Sequence, residues 1–218
     1  MIRIYAAKTE GLTRAELLPH IRLDVGENKQ TAWNRMPEEK AVGSLTGILL
    51  LQHALEQMGI SPEGHSMEYA LYGRPSLLLP QVDFNISHTD GLTVCAVEFE
   101  PNSHSPRIAI DAECANGRTG KSMKRIVSGW FSKQEKELFS KEPTEECFLK
   151  LWTAKEALTK WTGDGLSALC RCDSTQPPAG CSLTVYTLQN TTVTLCHRTD
   201  TLPPDMLVFP FSDEIGAR

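Results

Sequence analysis

The segment Ile108-Ala109-Ile110-Asp111-Ala112-Glu113, followed some forty residues on by Trp152-Thr153-Ala154-Lys155-Glu156-Ala157-Leu158-Thr159-Lys160, decides how this 218-residue chain is read. The first run reads as a strand, so Asp111 and Glu113 point to one face with backbones roughly 7 Å apart. The second reads as a helix, in which Glu156 and Lys160, four apart, share a face. Two like charges on one strand face repel unless a cation or water separates them. A strand with two carboxylates, met by a helix with a third, suits a hard divalent cation that keeps oxygen ligands and binds substrate phosphates.

At 100° per residue from Cys147, Leu151, Ala154, Leu158 and Trp161 gather with it on one side of the helix, and Glu156 and Lys160 fall opposite. Lys155 is the exception, because it lies between Leu151 and Phe148 inside the apolar stripe. It either snorkels or meets a buried phosphate. Upstream, Ser132-Lys133-Gln134-Glu135 fits a capping box, so Glu135 is read either as that cap or as a neighbour of the metal site.

Working outward, the chain divides into two α+β halves, residues 1–105 and 106–218. The first opens with a strand near 2–6. A helix follows over about 36–58, with Pro37 at its start and Gly59 past its end. Strands follow near 67–72, 84–88 and 92–98. Residues 101–106 read as a connector dense in turn formers. The second half repeats the order: a strand at 107–113, helices near 121–129, 133–141 and 145–161, a loop at 174–180, and strands near 182–188, 191–197 and 206–209. Strand, helix and strands, twice over, make an α+β protein with pseudo-symmetric halves.

Charge and composition narrow the partners. The formal net charge of −5 gives no global attraction to nucleic acid or to an anionic membrane surface. The most apolar run, Leu45 to Leu55, is too short to span a bilayer, and the N-terminus lacks the apolar core of a signal peptide. Seven scattered cysteines read as thiols in a reducing compartment. Cys170-Arg171-Cys172 is too tight for zinc spacing. The chain is therefore expected in the cytoplasm.

Four blocks, in order, resemble the 4′-phosphopantetheinyl transferases of the larger, surfactin-synthetase-activating type. They are Tyr72-Gly73-Arg74-Pro75, Phe84-Asn85-Ile86-Ser87-His88-Thr89, Ile110-Asp111-Ala112-Glu113, and Phe131-Ser132-Lys133-Gln134-Glu135 leading to Trp152 through Lys160. The combination is far more specific than any one block. The resemblance implies two pseudo-symmetric α+β halves with coenzyme A in the cleft between them. It also implies transfer of the phosphopantetheine arm to a serine of an apo acyl or peptidyl carrier protein, an acidic helical bundle, with release of adenosine 3′,5′-bisphosphate. By resemblance, Asp111, Glu113 and Glu156 bind Mg²⁺. Arg74, Ser87 and His88 hold the 3′-phosphate region of coenzyme A, which assigns that contact to the first half and catalysis to the second. Lys155 and Lys160 lie near the pyrophosphate.

The chemistry of the reaction fits these groups: Glu156 suits the general base, and Lys160, or Lys155 beside it, suits stabilisation of the departing phosphate. The family usually carries several arginines and lysines where the first long helix starts. Here Arg35 and Lys40 are left for phosphate work, and Gly43 stands where an arginine is expected. The basic cluster Lys121, Lys124, Arg125, Lys133 and Lys136 is the expected attraction for an acidic carrier. Fatty-acid, polyketide and nonribosomal peptide carriers remain equal choices, and an internal duplication makes a monomer sufficient. The competing readings are a non-catalytic protein that binds coenzyme A or a carrier, and a metal-dependent phosphohydrolase.

Overall fold

The computed structural model describes residues 1–70, 73–101 and 107–208. Tyr72 of the first sequence block, the end of the expected strand at 67–72, most of the connector at 101–106 and residue 209 lie outside the described residues. The chain forms two compact units. One spans Met1–Arg107 and takes back the chain from Pro204; the other spans Ile108–Pro203.

The first unit contains β1 (Ile2–Lys8), α1 (Arg14–Leu17), α2 (Glu27–Arg35), α3 (Glu38–Gln57), β2 (Met67–Tyr69), β3 (Pro75–Leu77), β4 (Val82–Thr89) and β5 (Leu92–Phe99). The second contains β6 (Ala109–Cys114), α4 (Gly120–Trp130), α5 (Lys133–Lys141), α6 (Glu145–Thr162), β7 (Cys181–Leu188) and β8 (Thr191–Arg198), after which β9 (Met206–Val208) follows. The mixed α+β class expected from the sequence is what the chain adopts. In both units the opening strand pairs antiparallel with the second strand of a later hairpin, β1 with β5 and β6 with β8. One long helix then packs on each sheet, α3 on the first and α6 on the second.

Two assignments are corrected. The strand near 206–209 does not join the second sheet: Met206, Leu207 and Val208 pair in parallel with Ile4, Tyr5 and Ala6, giving the order β4-β5-β1-β9. The region before α3 also holds a helix, α2, that the sequence reading missed. Its stretch is mostly polar and buries only Trp33, so it offers little periodic signal. The Trp33 indole N–H donates to Ser44 Oγ at 2.9 Å, tying α2 to α3.

The sequence of α3 accounts for its central place. Glu38 and Glu39 stand in its first turn, where carboxylates favour the positive end of the helix dipole. Leu45, Leu50, Leu51, Ala54 and Leu55 are fully buried together with Trp33 and Phe84. Gln52, almost fully buried, is satisfied: its Oε1 accepts from the backbone N–H groups of Arg22 and Leu23 and its Nε2 donates to the His20 carbonyl. That one side chain holds the irregular stretch around residues 20–23 against the helix, since an unsatisfied buried amide costs far more than it contributes when paired.

The helix also comes unusually close to β4. A methyl group on Gly47 would lie 2.5 Å from Ile86 Cγ2, inside any permitted contact. Gly47→Ala should therefore lower stability by about 1–3 kcal/mol through overpacking, although alanine is the better helix former by ~1 kcal/mol. Urea unfolding measures this, and an unchanged or higher midpoint would refute the close approach.

Candidate functional site

The second unit builds its site from one strand and one helix. In β6, Asp111 and Glu113 lie on one face, opposite Thr194 and Thr192 of β8. Asp111 is buried, and Glu113 is partly open. Helix α6 starts at Thr144, whose side chain accepts from Cys147 N, and ends at Gly163 in the left-handed conformation with φ 77°. It is fixed to the sheet by a buried hydrogen bond of 2.7 Å between the hydroxyls of Thr153 and Thr194.

From that fixed helix Lys160 reaches to the strand, where its Nζ donates to Asp111 Oδ1 at 2.7 Å and to the Ile110 carbonyl at 3.0 Å. Glu156, one turn earlier, shares a hydrogen bond with Asp111. Its carboxyl is pushed up to about 8, chiefly by burial and then by the negative charge of Asp111; Lys160 opposes this and Glu113 adds to it. Glu113 is also raised, first by burial and then by Asp111, while Arg118 and hydrogen bonds from Trp152 and Arg118 pull the other way. The three acids named from the sequence thus influence one another through space, and Lys160 belongs to the same cluster.

Two members of this cluster went unrecognised in the sequence. Arg118 Nη2 pairs with Glu113 Oε2 at 2.8 Å, and its guanidinium lies 5.8 Å from the Phe148 ring centroid. Trp152 donates to Glu113 and stacks with Phe131 and Phe148, at centroid distances of 6.3 and 6.1 Å. The aromatic stack therefore sets the position of both groups that hold Glu113. Trp152 opens the helix motif and its type was a visible signal, whereas nothing local marks Arg118.

Lys155 occupies a different environment. Its side chain and that of Glu135 are both 0 % exposed, and Nζ donates to Glu135 Oε2 at 2.9 Å and to the Cys172 carbonyl. Glu135 completes a capping box with Ser132 at the start of α5, accepting from Ser132 N at 2.6 Å. Its other oxygen accepts from Ser174 N and Oγ, each at 2.7 Å. Glu135 is thus the helix cap, and it also anchors Lys155. The lysine does not snorkel. It is enclosed by protein and bound to groups outside α6.

The other residues expected to meet coenzyme A, Arg35, Lys40, Arg74, Ser87 and His88, lie in the first unit. Arg35 and Lys40 are exposed, Ser87 is buried, and His88 is exposed near the end of β4. Arg74 Nη2 pairs with Asp83 Oδ2 at 2.8 Å, at the start of the same strand. Asp83 and His88 are five residue steps apart along the strand, about 17 Å of backbone, so this ion pair holds Arg74 toward the opposite end of β4.

Among the described residues, no three His, Cys, Asp or Glu side chains are already set as a ligand cage. The donor chemistry nevertheless fits a hard cation. Asp111, Glu113 and Glu156 are oxygen donors, and Glu156 holds its proton near neutrality, first because it is buried and then because Asp111 and Glu113 stand close, a repulsion that a divalent ion would relieve.

Residues 107–203 match the model of the 4′-phosphopantetheinyl transferase superfamily. The chain is similar to a 4′-phosphopantetheinyl transferase of Bacillus subtilis, 36% identical over 134 residues, which are 60% of this chain and 56% of that protein. It is similar to the 4′-phosphopantetheinyl transferase Sfp of Bacillus subtilis (strain 168), 36% identical over 100 residues, 44% of this chain and 40% of Sfp. It is also similar to the 4′-phosphopantetheinyl transferase gsp of Aneurinibacillus migulanus, 30% identical over 171 residues, 76% of this chain and 68% of gsp. The chain spans about half the length of the first two of these relatives.

The enclosed pair carries a direct test. Lys155→Met leaves Glu135 buried without its cation and should cost about 3–5 kcal/mol. Lys160→Met, at a side chain still 29 % exposed, should cost less. Urea unfolding of both variants compares them, and a Lys155→Met midpoint equal to wild type would show that the ammonium is not needed there.

Proposed function

Because this chain belongs to the 4′-phosphopantetheinyl transferase superfamily, we propose that it transfers the phosphopantetheine arm of coenzyme A to a serine of an apo carrier protein. The observation that carries this reading is the convergence of Asp111, Glu113, Glu156 and Lys160 on adjoining positions of β6 and α6. In the reaction, the serine Oγ forms a bond to the pantetheine-bearing phosphorus. The bond from that phosphorus to the bridging oxygen breaks, and adenosine 3′,5′-bisphosphate leaves.

A serine hydroxyl is a weak nucleophile, so a base must stand by its proton. Glu156 takes that role once its carboxyl has lost the proton it shares with Asp111. Lys160, whose side chain is partly open, donates to the oxygen on which charge builds as the pyrophosphate link breaks. Asp111, Glu113 and Glu156 would hold Mg²⁺, which when bound offsets pyrophosphate charge and lowers the proton affinity of the acids around it. Lys155 supports these groups indirectly, by fixing the turn of α6 that carries Glu156. Arg35, Lys40, Arg74, Ser87 and His88 are proposed to contact coenzyme A, with Ser87 and His88 nearest its 3′-phosphate.

The carrier is proposed to dock on α4 and α5. Lys121, Lys124, Arg125, Lys133 and Lys136 are all exposed there. Lys124 and Lys136 line a groove of about 460 Å³ with Val127 and Phe139. Cations beside an apolar groove suit an acidic amphipathic helix of a peptidyl, polyketide or fatty-acid carrier. No described helix is long and apolar enough to cross a membrane. The proposed setting is the cytoplasm, and one chain carries every proposed residue, so a monomer suffices.

The test is intact mass spectrometry of apo carrier incubated with this protein, coenzyme A and Mg²⁺. We expect the carrier to gain one phosphopantetheine group, and to gain none with EDTA or with Asp111→Ala; near-normal transfer by that variant would remove the metal assignment. Release of adenosine 3′,5′-bisphosphate without any carrier would instead mark a hydrolase. In the same assay Lys124→Glu should raise KM for the carrier several-fold and leave KM for coenzyme A unchanged, and equal carrier kinetics would take α4 out of the interface.

A further inference from the structure

Gly43 and Gly47 face β4 from successive turns of α3, but they meet different neighbours. Gly47, itself buried, is pressed on the partly buried Ile86 beside the core. A methyl group on Gly43 would lie 3.1 Å from Cγ, 3.2 Å from Cβ and 3.5 Å from Nδ1 of His88. Carbon atoms in good contact stand about 3.5–4.0 Å apart. The imidazole therefore lies against bare helix backbone, close enough that a methyl group at 43 would displace it by a few tenths of an ångström. The same backbone is held from the sheet, where Thr93 Oγ1 donates to the Gly43 carbonyl at 3.3 Å. Thr93 is also the residue opposite His88 in the β4–β5 pairing. Helix turn, hydroxyl and imidazole thus fix one another's spacing.

Glycine is otherwise a poor choice in a helix interior, because it gives up the most chain freedom when ordered. Its presence here needs a compensating reason, and the seat of the ring supplies one. His88 is exposed, so its ring is presented to solvent from a fixed base. Lys40, three residues before Gly43 on the same helix row, is exposed as well.

We propose that Gly43 is a positioning residue for His88: its missing side chain seats the imidazole on α3 and so pre-sets it to meet the 3′-phosphate of coenzyme A. This rests on the reading of His88 as a coenzyme A contact. Gly43 is then no gap left by a lost cation but the condition for another donor's placement. A ring fixed before the ligand arrives gives up little freedom on binding, and a displaced ring must be re-ordered each time.

The experiment measures binding of coenzyme A and of dephospho-coenzyme A by calorimetry to wild type, Gly43→Ala, His88→Ala and the double variant. Melting temperatures and the His88 ring resonances by NMR accompany each measurement. Gly43→Ala should raise the Kd for coenzyme A about tenfold, the scale of one charge-assisted hydrogen bond. It should shift the ring resonances, leave the melting temperature at or above wild type, and have little effect on dephospho-coenzyme A. In the His88→Ala background the same substitution should leave Kd unchanged. Unmoved ring resonances, or an unchanged Kd beside a clear His88→Ala defect, would overturn the proposal. So would a melting temperature lowered as for Gly47→Ala, since close packing alone would then be the role of Gly43. If wild type fails to bind coenzyme A, or His88→Ala binds it equally well, the coenzyme A reading fails, and the ring resonances alone still decide whether Gly43 sets the imidazole.

Discussion

A fully buried lysine ammonium must have its charge answered inside the protein, and Lys155 is answered by Glu135. Desolvating either ion alone is prohibitive, so the two elements that carry them are held to one geometry. The constraint reaches further than a pair. Glu135 also caps α5 and holds the backbone and hydroxyl of Ser174, and Lys155 binds the Cys172 carbonyl. Two helices and the segment before β7 are thereby locked at a single buried point. Glu156 is the next residue along α6, so the direction in which it leaves the helix is set by a bond its neighbour makes.

Local signals carried much of the second unit. The capping box at Ser132, the paired acids of β6 and the four-residue step from Glu156 to Lys160 depend on residues close in sequence, and each element lies where its spacing indicated. Pairing outside a regular element was a different matter. Arg118 stands only five residues from Glu113 but reaches it through a loop, and no period links them. Lys155 was recognised as lying in an apolar stripe, but its partner is twenty residues away on another helix. The stripe itself was drawn too narrow. Helix α6 meets one apolar cluster through Ala157, Leu158 and Trp161 and another through Phe148 and Leu149, so residues on two sides of it are buried. A single wheel cannot show that.

The first unit was less legible for related reasons. Helix α2 has no side-chain cap and starts from Gly26 at φ 74°. Strand β3 is three residues long and opens with a proline, too short for alternation to register. The close approach of α3 to β4 is invisible in a sequence, because a glycine in a helix reads as a weakness until the atoms opposite it are known. Where the resemblance presented a missing arginine, the structure shows His88 close against the backbone of Gly43.

The return of β9 to the first sheet has a consequence for how the chain is made. A protein emerging from the ribosome folds what has already been synthesised, and its first 107 residues include every other strand of that sheet. The outer edge of β1 nevertheless waits for Met206–Val208. Until then it offers unpaired backbone groups to any strand that comes near. The second unit, whose paired strands and long helix all fall within Ile108–Pro203, can close before the first is complete. Order of synthesis and order of completion are thus reversed, and the interval between them is when the nascent chain is most open to mispairing and most in need of a chaperone.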